Sequence, residues 1–384
     1  MHETDARRQD ESPSIETRLG TLRRKRGLSA ISVAAAVGVT RQTIYAIESG
    51  AYVPNTAVAL RLARALDSTV EDLFTLSDGP GAPEFRSEQA SLLPGSELPE
   101  AGQPVQLCRV DRKLMASPPS AIPWYFPATD GVVTDGSAKS GKTDVQVFQD
   151  EGDFSNRILI AGCDPGISVL SRHAQAAGIE LVLAHRNSSQ SLSLLKEDCI
   201  HVAGTHLRDE TSGESNLPEI GRLFAKNSVA VISFAVWEQG ILTARSNPKG
   251  IRGIADFARK DVSIVNREEG AGSRALLDRG LRKENLSPES VQGYERIAQG
   301  HLPAAWQVQS GLVDCCLATR GAARMFGLHF IPLVSERYDL VLRTRNLEMP
   351  RIQNLLDTLS RSDFRRELDG LGGYDTSVAG QRVL

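Results

Sequence analysis

The spacing of small and apolar residues around Gly38 places the strongest constraint on the fold of this 384-residue chain. Ala34 lies four residues before Gly38, where a small side chain lets two helices cross closely. Ile44 and Ile47 follow Gly38 by six and nine residues and share the inner face of the next helix. Thr40 is a favourable N-cap for that helix. Together these positions predict two helices joined by a tight turn, the helix-turn-helix arrangement.

The second helix of this unit presents a polar face that suits DNA. Near its N-terminus, Arg41 can bond guanine bidentately and Gln42 can bond adenine in the major groove. Residues 15–76 carry eight Arg and Lys against five Asp and Glu, a net charge of +3, and residues 23–26 form a basic cluster suited to phosphate. A small helical bundle used for protein contact is the alternative. The predicted DNA-binding residues are Arg23, Ser29, Thr40, Arg41, Gln42, Thr43, Tyr45 and Asn55.

Residues 19–74 resemble the Xre/Cro-like phage-repressor family, most closely over residues 38–50. The resemblance implies an all-α, five-helix domain that binds inverted-repeat operators in double-stranded DNA as a homodimer. Ala30 stands where the family usually has Gln, and Ala51 where it often has a basic residue. Because both positions commonly touch phosphate in the family, the resemblance implies modest affinity.

Composition excludes several classes of protein. Hydrophobic residues make up 41% and charged residues 24%, which argues against a disordered chain, a collagen-like fibre or a membrane bundle. A net charge of −3 leaves no excess of basic residues to coat nucleic acid, so any DNA contact must be local. The apolar run 229–237 is too short to span a bilayer, and residues 1–14 lack a secretory apolar core. We therefore expect a cytoplasmic protein with no membrane partner.

The chain changes character along its length in a way that predicts several segments. Residues 77–104 are rich in Pro and Gly among Ser and Glu, which is typical of a flexible linker. The predicted organisation is a disordered tail over 1–14, a helix-turn-helix domain over 15–76, a linker over 77–104, a small β-rich segment over 105–157, and a two-lobed α/β domain over 158–384.

From residue 157 onward, strand and helix patterns alternate. This alternation predicts parallel sheets covered by helices, and the length suits two lobes. The predicted strands are 158–161, 180–184, 200–203, 229–234, 262–265, 315–318, 330–334 and 340–342. The predicted helices are 167–177, 190–197, 273–282 and 351–368.

Three of these strand ends lead into small residues and a helix start, at 163–166, 187–191 and 269–274. Free backbone N–H groups at helix N-termini bind anions or polar ligands, and Arg274 can add a charge-assisted hydrogen bond. Ordinary N-caps are the alternative for each segment. Grouped in one domain, the three segments predict a ligand site at the carboxyl ends of the strands.

The C-terminal part also resembles the periplasmic-binding-protein-like domain found fused to DNA-binding modules, a family related to molybdate-binding proteins. The resemblance covers about residues 109–380 and is most specific at 160–165, 247–251, 265–278, 332–340 and 372–376. It implies a multidomain protein whose C-terminal domain is a two-lobed α/β periplasmic-binding-protein-like (type II) fold, with crossing strands and ligand in the cleft. The candidate ligand-binding residues are Cys163, Asp164, Ser188, Ser189, Thr205, Glu238, Gly270, Gly272, Ser273, Arg274 and Tyr294.

The resemblance implies a tetrahedral oxyanion such as molybdate or tungstate as ligand, and no other cofactor. Ala271 and Ser273 depart from the family's usual glycine-rich loop, and the carboxylates of Asp164 and Glu238 would repel an unpaired oxyanion. An organic metabolite is therefore an alternative ligand. We expect a ligand-sensing transcription regulator and no enzyme, since no acid, base or nucleophile set is evident. The alternatives are an enzyme of molybdenum-cofactor-related metabolism and a domain that only oligomerises.

Two further patterns carry less weight. Residues 136–143 match the phosphate-loop pattern, but residues 144–148 alternate like a strand where such a loop needs a helix, which favours a hairpin. Cys199, His201 and His206 lack the paired spacing of zinc sites, so no metal is expected. The five cysteines show no CxxC spacing and are expected to be reduced, buried thiols. His301 is expected to line the cleft or to cap a helix.

Overall fold

A computed structural model describes residues 14–77, 86–96, 99–119, 128–135, 141–148, 154–209 and 212–384. The chain divides into two compact units, Met1–Glu84 and Phe85–Leu384. In the described part of the chain, no single helix has the length and apolar character needed to cross a membrane, although one sharply bent pair, Ala30–Val37 with Arg41–Glu48, passes on length and composition.

The first unit is a bundle of short helices around one apolar core. Leu19, Ile44, Ile47, Leu62 and Leu66 are at most 1% exposed and fill the space between the helices. The helices are α1 (Leu19–Lys25), α2 (Ala30–Val37), α3 (Arg41–Glu48), α4 (Thr56–Ala65) and α5 (Val70–Leu73).

A two-stranded antiparallel sheet closes this unit and corrects the all-α expectation. Its strands are β1 (Ser14–Thr17) and β2 (Phe74–Ser77). Alternation over four residues is too short a signal to separate such a strand from a tail, and only pairing across the domain orders it. Ser14 is thus part of the sheet, whereas residues 1–13 of the predicted tail lie outside the described residues.

The second unit begins with a closed five-stranded barrel. Its strands are β3 (Arg86–Leu92), β4 (Pro104–Val110), β5 (Lys113–Ser117), β6 (Gly131–Asp135) and β7 (Lys142–Val147), in the order β3-β5-β4-β6-β7. The core contains Val105, Leu107, Ala116 and Val145, none of which is exposed. The predicted β-rich segment therefore forms a barrel together with β3, which comes from the predicted linker before it.

The linker prediction for residues 77–104 is wrong over β3. This strand pairs antiparallel with β7 and parallel with β5, and it points Ala90 and Leu92 inward. Leu93, which follows it, is fully buried. The strand is mostly polar and turns only two apolar side chains inward, so its composition resembles that of a linker. Its stability comes from hydrogen bonds to strands that are distant in the sequence. Residues 78–85 and 97–98 of the predicted linker lie outside the described residues.

A nine-stranded mixed sheet forms the remainder of the second unit. Its main path is β13-β12-β14-β11-β15-β10-β8-β9, and a short strand β16 pairs with β11. The strands are β8 (Arg157–Gly162), β9 (Glu180–His185), β10 (Val202–Thr205), β11 (Val229–Thr243), β12 (Ile264–Arg267), β13 (Ile297–Ala298), β14 (Cys315–Thr319), β15 (His329–Arg343) and β16 (Tyr374–Asp375).

The sheet consists of two parallel halves joined by two long antiparallel strands. We call the half with β8, β9 and β10 lobe A, and the half with β12, β13 and β14 lobe B; each is parallel within itself. Strands β11 and β15 pair with each other along 15-residue lengths and run through both lobes. The predicted parallel pairing is thus present within each lobe, the crossing strands make the whole sheet mixed, and two lobes with crossing strands are present as the family resemblance implies.

The crossing strands are longer than the sequence predicts. Strand β11 continues past 234 to Thr243, and the two strands predicted at 330–334 and 340–342 are one strand, β15. Polar residues such as Glu238 and Glu336 interrupt the apolar pattern of each strand, so the pattern alone suggests an end. Register shifts at Ser233/Ala235 and Gln239/Gly240 let the strands bend and continue.

Helices cover both faces of the sheet. They are α6 (Ile167–Ala176), α7 (Ser188–Lys196), α8 (Leu217–Leu223), α9 (Gly272–Lys283), α10 (His301–Gln309), α11 (Arg320–Met325), α12 (Pro350–Ser360) and α13 (Ser362–Leu371). The helix predicted over 351–368 is two helices, because Arg361 adopts extended backbone at ψ 136°. Ile352 and Phe364 of this pair are fully buried against lobe A.

Candidate functional site

Helices α2 and α3 form the turn that the sequence predicts. Gly38 ends α2 in the left-handed conformation at φ +77°, and its amide donates to the carbonyl of Ala34 at 2.9 Å. Thr40 begins α3 as its N-cap, since its Oγ1 accepts from the amide of Thr43 at 3.1 Å. The chain bends by 106° between the two helices. This geometry separates an inner face of α3 from an outer one.

The outer face of α3 carries the residues expected to read DNA. Ile44 and Ile47 turn into the core, whereas Arg41 and Gln42 are exposed and Tyr45 is 42% exposed. Arg41 Nη2 donates to the Tyr45 hydroxyl at 3.0 Å. The hydrogen bond holds the guanidinium along the helix surface, close to the N-terminal turn that enters the groove in helix-turn-helix proteins.

Three other predicted DNA-binding residues are held at helix starts. Ser29 Oγ accepts from the amide of Ser32 at 3.0 Å at the start of α2, and Asn55 Oδ1 accepts from the amide of Val58 at 3.0 Å at the start of α4. The Thr43 hydroxyl lies 2.8 Å from that of Thr40. Helix starts at a surface suit phosphate, because their free N–H groups point outward.

Arg23 is placed differently from the expectation. Its Nε donates to Glu48 Oε1 at 2.6 Å and its Nη1 to the carbonyl of Leu28 at 2.8 Å, and both side chains of the ion pair are 11% exposed. The pair ties α1 to α3. The guanidinium of Arg23 is therefore engaged within the domain, and the exposed members of the basic cluster are Arg24, Lys25 and Arg26.

In the second unit, four side chains meet between the lobes. We call Cys163, His206, Trp237 and His301 the interlobe cluster. Cys163 follows β8, His206 follows β10, Trp237 lies on the crossing strand β11, and His301 begins α10 of lobe B. All four are at most 3% exposed. The His206 and Trp237 rings lie 4.8 Å apart and the Trp237 and His301 rings 5.2 Å apart, so the cluster is in contact.

Three members of the cluster present ligand atoms to one another. One ligand atom from each of Cys163, His206 and His301 lies within 4.8 Å of the others. His206 comes from lobe A and His301 from lobe B, so the group spans the two lobes. No metal site was expected from the spacing of Cys199, His201 and His206 in the sequence, and the fold groups His206 with Cys163 and His301 instead.

A chain of polar contacts fixes the orientation of His206. Its Nδ1 lies 3.1 Å from Glu336 Oε2 on β15, and Gln239 Nε2 also contacts that carboxylate. The Ser273 hydroxyl donates to Gln239 Oε1. Burial disfavours the charged imidazole, but the neighbouring Cys163 and Glu336 outweigh it and raise the pKa of His206. The contact to Glu336 leaves Nε2 on the side of the ring that faces the cluster.

Several buried polar atoms around the cluster have no hydrogen-bond partner among the described residues. They include His206 Nε2, Trp237 Nε1 and both ring nitrogens of His301. Burial lowers the pKa of His301 well below its usual value, so its imidazole is neutral. Arg267 Nη1 is a further unpaired donor, although the rest of its guanidinium pairs with Glu268 at 2.9 Å. Because buried polar groups normally have partners, this grouping makes the cluster a candidate binding site.

Asp164 adds an unpaired acceptor beside Cys163. Its Oδ1 accepts from the amide of Gly166 and from the hydroxyl of Tyr374, each at 2.7 Å, whereas its Oδ2 has no partner among the described residues. Burial raises the pKa of Asp164 to about 6, although the bonds from Tyr374 and Gly166 oppose the shift. A ligand here can therefore meet both donors and an acceptor.

Several predicted ligand-binding residues border the cluster. Ser188 Oγ accepts from the amide of His206 at 3.1 Å. A Cβ at Gly272 would lie 2.4 Å from His206 Cε1, so only glycine fits there. Ser273 joins the polar chain through Gln239. With Cys163 and Asp164, these residues form the lining that the sequence predicted in part.

Other predicted residues hold the lobes rather than the cluster. Asn187 Nδ2 donates to the carbonyl of Glu269 at 2.9 Å across the cleft. Gly270, at φ +84°, packs against Asn187 and against Ser189, whose side chain is exposed. Contact between the loop before α7 and the loop before α9 brings lobes A and B together. Gly270 and Ser189 thus belong to the rim of the cleft.

The remaining four predicted residues are engaged elsewhere. Arg274 stacks on the Tyr294 ring at 4.2 Å and pairs with Asp278, which also accepts from the Tyr294 hydroxyl at 2.7 Å. Thr205 Oγ1 donates to Asn216 Oδ1 at 3.3 Å within lobe A.

Glu238 pairs with Arg320, whose Nη2 donates to Oε1 at 2.9 Å, and this hydrogen bond lowers the pKa of Glu238. Because Arg320 compensates the charge of the Glu238 carboxylate, the repulsion that was expected between Glu238 and an oxyanion is removed. Asp164 has no such ion pair in the described part of the chain.

Sequence reasoning missed Trp237, Gln239, Glu336 and Tyr338 as parts of the site. A signal was present: polar and aromatic residues interrupt the otherwise apolar strands β11 and β15, and two of them, Trp237 and Glu336, pair directly across these strands. A Cβ at Gly204, within β10, would lie 2.0 Å from the Tyr338 hydroxyl, so this glycine two residues before His206 was a second hint. Neither signal identifies the site until the pairing of the strands is known.

The structure places parts of the two patterns to which the sequence gave less weight. Strand β7 follows Gly141, where a phosphate loop would need a helix; residues 136–140 lie outside the described residues. His201 accepts from the amide of Leu159 at 3.0 Å, and burial lowers its pKa to about 3. All five cysteines are buried and free of disulfides.

Residues 19–73 match the family described as helix-turn-helix, and residues 171–360 match the family described as PBP superfamily domain. An uncharacterised protein from Bacillus subtilis, YvgK, is 32% identical over 240 residues, which cover 62% of this chain and 77% of YvgK. The chain belongs to the PBP superfamily and carries an N-terminal helix-turn-helix domain.

Two further comparisons concern the separate parts. The uncharacterised helix-turn-helix-type transcriptional regulator YgzD of Bacillus subtilis is 39% identical over 64 residues, which are 17% of this chain and 97% of YgzD. A structure described as a substrate-binding protein of a phosphate transporter from Clostridium perfringens, with bound phosphate, is 14% identical. It covers 57% of this chain and 98% of that protein, with a TM-score of 0.45.

Proposed function

We propose that this protein is a cytoplasmic one-component transcription regulator that binds operator DNA through α3 and a small ligand between lobes A and B. The observation that carries the DNA part is the exposed Arg41 and Gln42 pair at the start of α3, opposite the buried Ile44 and Ile47. The same helix thus anchors in the core on one side and presents base-reading groups on the other.

The ligand part rests on the unpaired polar atoms of the interlobe cluster. His301, Trp237 and Asp164 each hold at least one buried polar atom without a partner among the described residues. Leaving such groups unpaired costs about 1–3 kcal/mol each, so a bound ligand that satisfies them stabilises the protein. Because lobes A and B both supply these groups, ligand binding favours the closed arrangement of the lobes.

We propose a homodimer as the DNA-binding species. A two-fold dimer matches an inverted-repeat operator, since each α3 then meets one half-site. Closure of the lobes on the ligand would change the relative placement of the two α3 helices. The ligand site and the DNA-binding site would then be linked by a coupling free energy.

A tetrahedral oxyanion such as molybdate or tungstate is the ligand that the family resemblance suggests. Trp237 Nε1 and Arg267 Nη1 are unpaired N–H donors of the kind an oxyanion needs. Asp164 Oδ2 instead favours a ligand that carries a donor, which supports an organic metabolite. An oxyanion would therefore contact the N–H donors of this lining, whereas an organic metabolite would also contact its carboxylate acceptor.

A thermal-shift screen of the purified full chain against oxyanions and small polar metabolites tests the sensor. A ligand at about 100 times its dissociation constant stabilises the native state by about 2.7 kcal/mol, which raises the melting temperature. The ligand found is then added to an operator-binding titration. A change in operator affinity supports the regulator, and an unchanged affinity at saturating ligand contradicts the coupling.

A further inference from the structure

The interlobe cluster has the composition of a metal site. A sulfur and two imidazole nitrogens, from Cys163, His206 and His301, lie within 4.8 Å of one another and are all buried. Zinc binds sulfur at about 2.3 Å and imidazole nitrogen at about 2.0–2.1 Å, and these are among its preferred ligands. Binding of one central ion at these distances would require the three side chains to move closer together than they are here.

The contact between His206 and Glu336 has the form of an outer-shell contact in metal sites. Metal-binding imidazoles usually donate their second N–H to a carboxylate, which fixes the ring and the tautomer. Glu336 Oε2 lies 3.1 Å from His206 Nδ1, so Nε2 faces the cluster, and a metal ion would bind there by displacing the Nε2 proton. Gln239 and Ser273 in turn hold the carboxylate in place.

His301 supplies a second observation that is independent of this contact. Both of its ring nitrogens are buried and have no hydrogen-bond partner among the described residues, although the side chain is only 1% exposed. A histidine that merely fills a core normally bonds at least one nitrogen, as His201 does with the amide of Leu159. The orphaned ring of His301 points to a ligand that accepts its lone pair.

We propose that Cys163, His206 and His301 bind one divalent transition-metal ion of the zinc class between lobes A and B. The inference rests on the proposed ligand-sensing function, because it names the ligand of the same cleft. Asp164, next to Cys163, has an unpaired Oδ2 and is the candidate for a fourth ligand. The ion would join the lobes directly, since Cys163 and His206 belong to lobe A and His301 to lobe B.

The lining favours a cation over an oxyanion. The thiol of Cys163, the carboxylate oxygen of Asp164 and the neutral imidazole of His301 offer lone pairs to a cation, whereas Trp237 Nε1 is one of the few unpaired donors that an oxyanion could use. The guanidinium groups of Arg274 and Arg320 pair with carboxylates away from the cluster. Arg267 contributes one unpaired N–H, with the rest of its charge matched by Glu268.

The test uses the full chain without a metal-binding tag, reduced and freed of metal by a chelator. We expect one equivalent of Zn²⁺ to bind and to raise the melting temperature. We expect Co²⁺ at the same site to give the ligand-to-metal charge-transfer absorption of a cobalt–thiolate bond. Failure of both ions to bind would overturn the proposal.

Matched variants separate this site from adventitious binding. Cys163→Ser should abolish the cobalt–thiolate absorption and His301→Gln should weaken metal binding, while the controls Cys199→Ser and His329→Gln should retain both. Glu336→Gln keeps the shape of the side chain and should weaken metal affinity by about 10–100-fold. An absorption that persists in Cys163→Ser, or is lost in Cys199→Ser, would overturn the assignment.

Parallel additions distinguish this inference from the proposed function. If molybdate or a metabolite raises the melting temperature and the metal ions do not, the metal site is overturned and the sensor remains. If Zn²⁺ binds with the expected variant pattern but operator affinity is unchanged, the metal site is supported and the coupling to DNA is contradicted.

Discussion

The Nδ1 atom of His206 lies 3.1 Å from Oε2 of Glu336, and this contact joins the end of a lobe A strand to a strand that runs through both lobes. It orients the imidazole toward Cys163 and His301. The remaining polar contacts of the cleft, through Gln239 and Ser273, extend the same chain into lobe B. A continuous chain of polar contacts therefore links the cluster to elements of both lobes.

Replacement of Arg41 or Gln42 by Ala should weaken specific operator binding by about 1–3 kcal/mol for each residue. Both side chains are exposed at the start of α3, so the fold should be unaffected. Fluorescence anisotropy with a selected operator measures the affinity, and circular dichroism melting checks the fold. Lys226→Ala, a change in the second unit, serves as control; normal affinity in both α3 variants would contradict the assigned face.

Replacement of Arg23 by Ala should destabilise the helix-turn-helix domain by about 1.5–3 kcal/mol, because it removes charge-assisted hydrogen bonds to a half-buried Glu48. Urea denaturation of the variant measures this loss, and Arg24→Ala, which removes an exposed basic residue, is the control. If Arg23→Ala melts like the wild type yet loses operator affinity, the residue contacts DNA after all.

Gly272→Ala should impair ligand-induced stabilisation of the second unit. The added Cβ would lie 2.4 Å from His206 Cε1 and would push the imidazole out of the cluster. Gly221→Ala in α8 is the matched control, since a Cβ there meets nothing within 4 Å and Ala should stabilise the helix by about 0.5–1 kcal/mol. Equal ligand-induced shifts in the two variants would show that His206 does not line the site.

His201 should make the second unit less stable as the pH falls. Burial lowers its pKa to about 3, whereas the unfolded chain titrates near 6.5, so the unfolded state binds more protons between these values. The stability from this group is complete above pH 6.5 and is lost toward pH 3, with a slope of at most about 1.4 kcal/mol per pH unit.

The comparison variant for this prediction is His201→Gln, whose amide oxygen can accept from the amide of Leu159 in the same way. Urea denaturation from pH 7 to pH 4 should give a shallower loss of stability for His201→Gln than for the wild type. Identical slopes would mean that His201 does not titrate during unfolding.

Local spacing sufficed to predict the helix-turn-helix unit because its signals lie within a few residues of one another. Gly38, Thr40, Ile44 and Ile47 each act through a turn, a cap or one helix face. Arg23 was assigned to phosphate because the sequence does not show that Glu48, 25 residues away, lies against it. The partner of a basic residue on a helix cannot be identified from the sequence until the packing of the helices is known.

Strand β3 and the interlobe cluster show the opposite case. The polar strand β3 depends on β5 and β7 for its hydrogen bonds, so its composition alone suggests a linker. Glycine-rich helix starts directed attention to Arg274, which pairs within its own lobe. Residues that complete the cluster, such as Trp237 and Glu336, lie on crossing strands whose pairing is not encoded in any short pattern.

The sequence by itself determined the helix-turn-helix, the face of α3 that meets solvent and the two-lobed class of the second unit, since periodicity and capping act over short distances. Only the tertiary structure decided that Cys163, His206 and His301 meet. They are spread over 138 residues of the chain and come together because two parallel half-sheets share the crossing strands β11 and β15. Pairing between strands that are distant in the sequence therefore brings together side chains that local sequence patterns do not group.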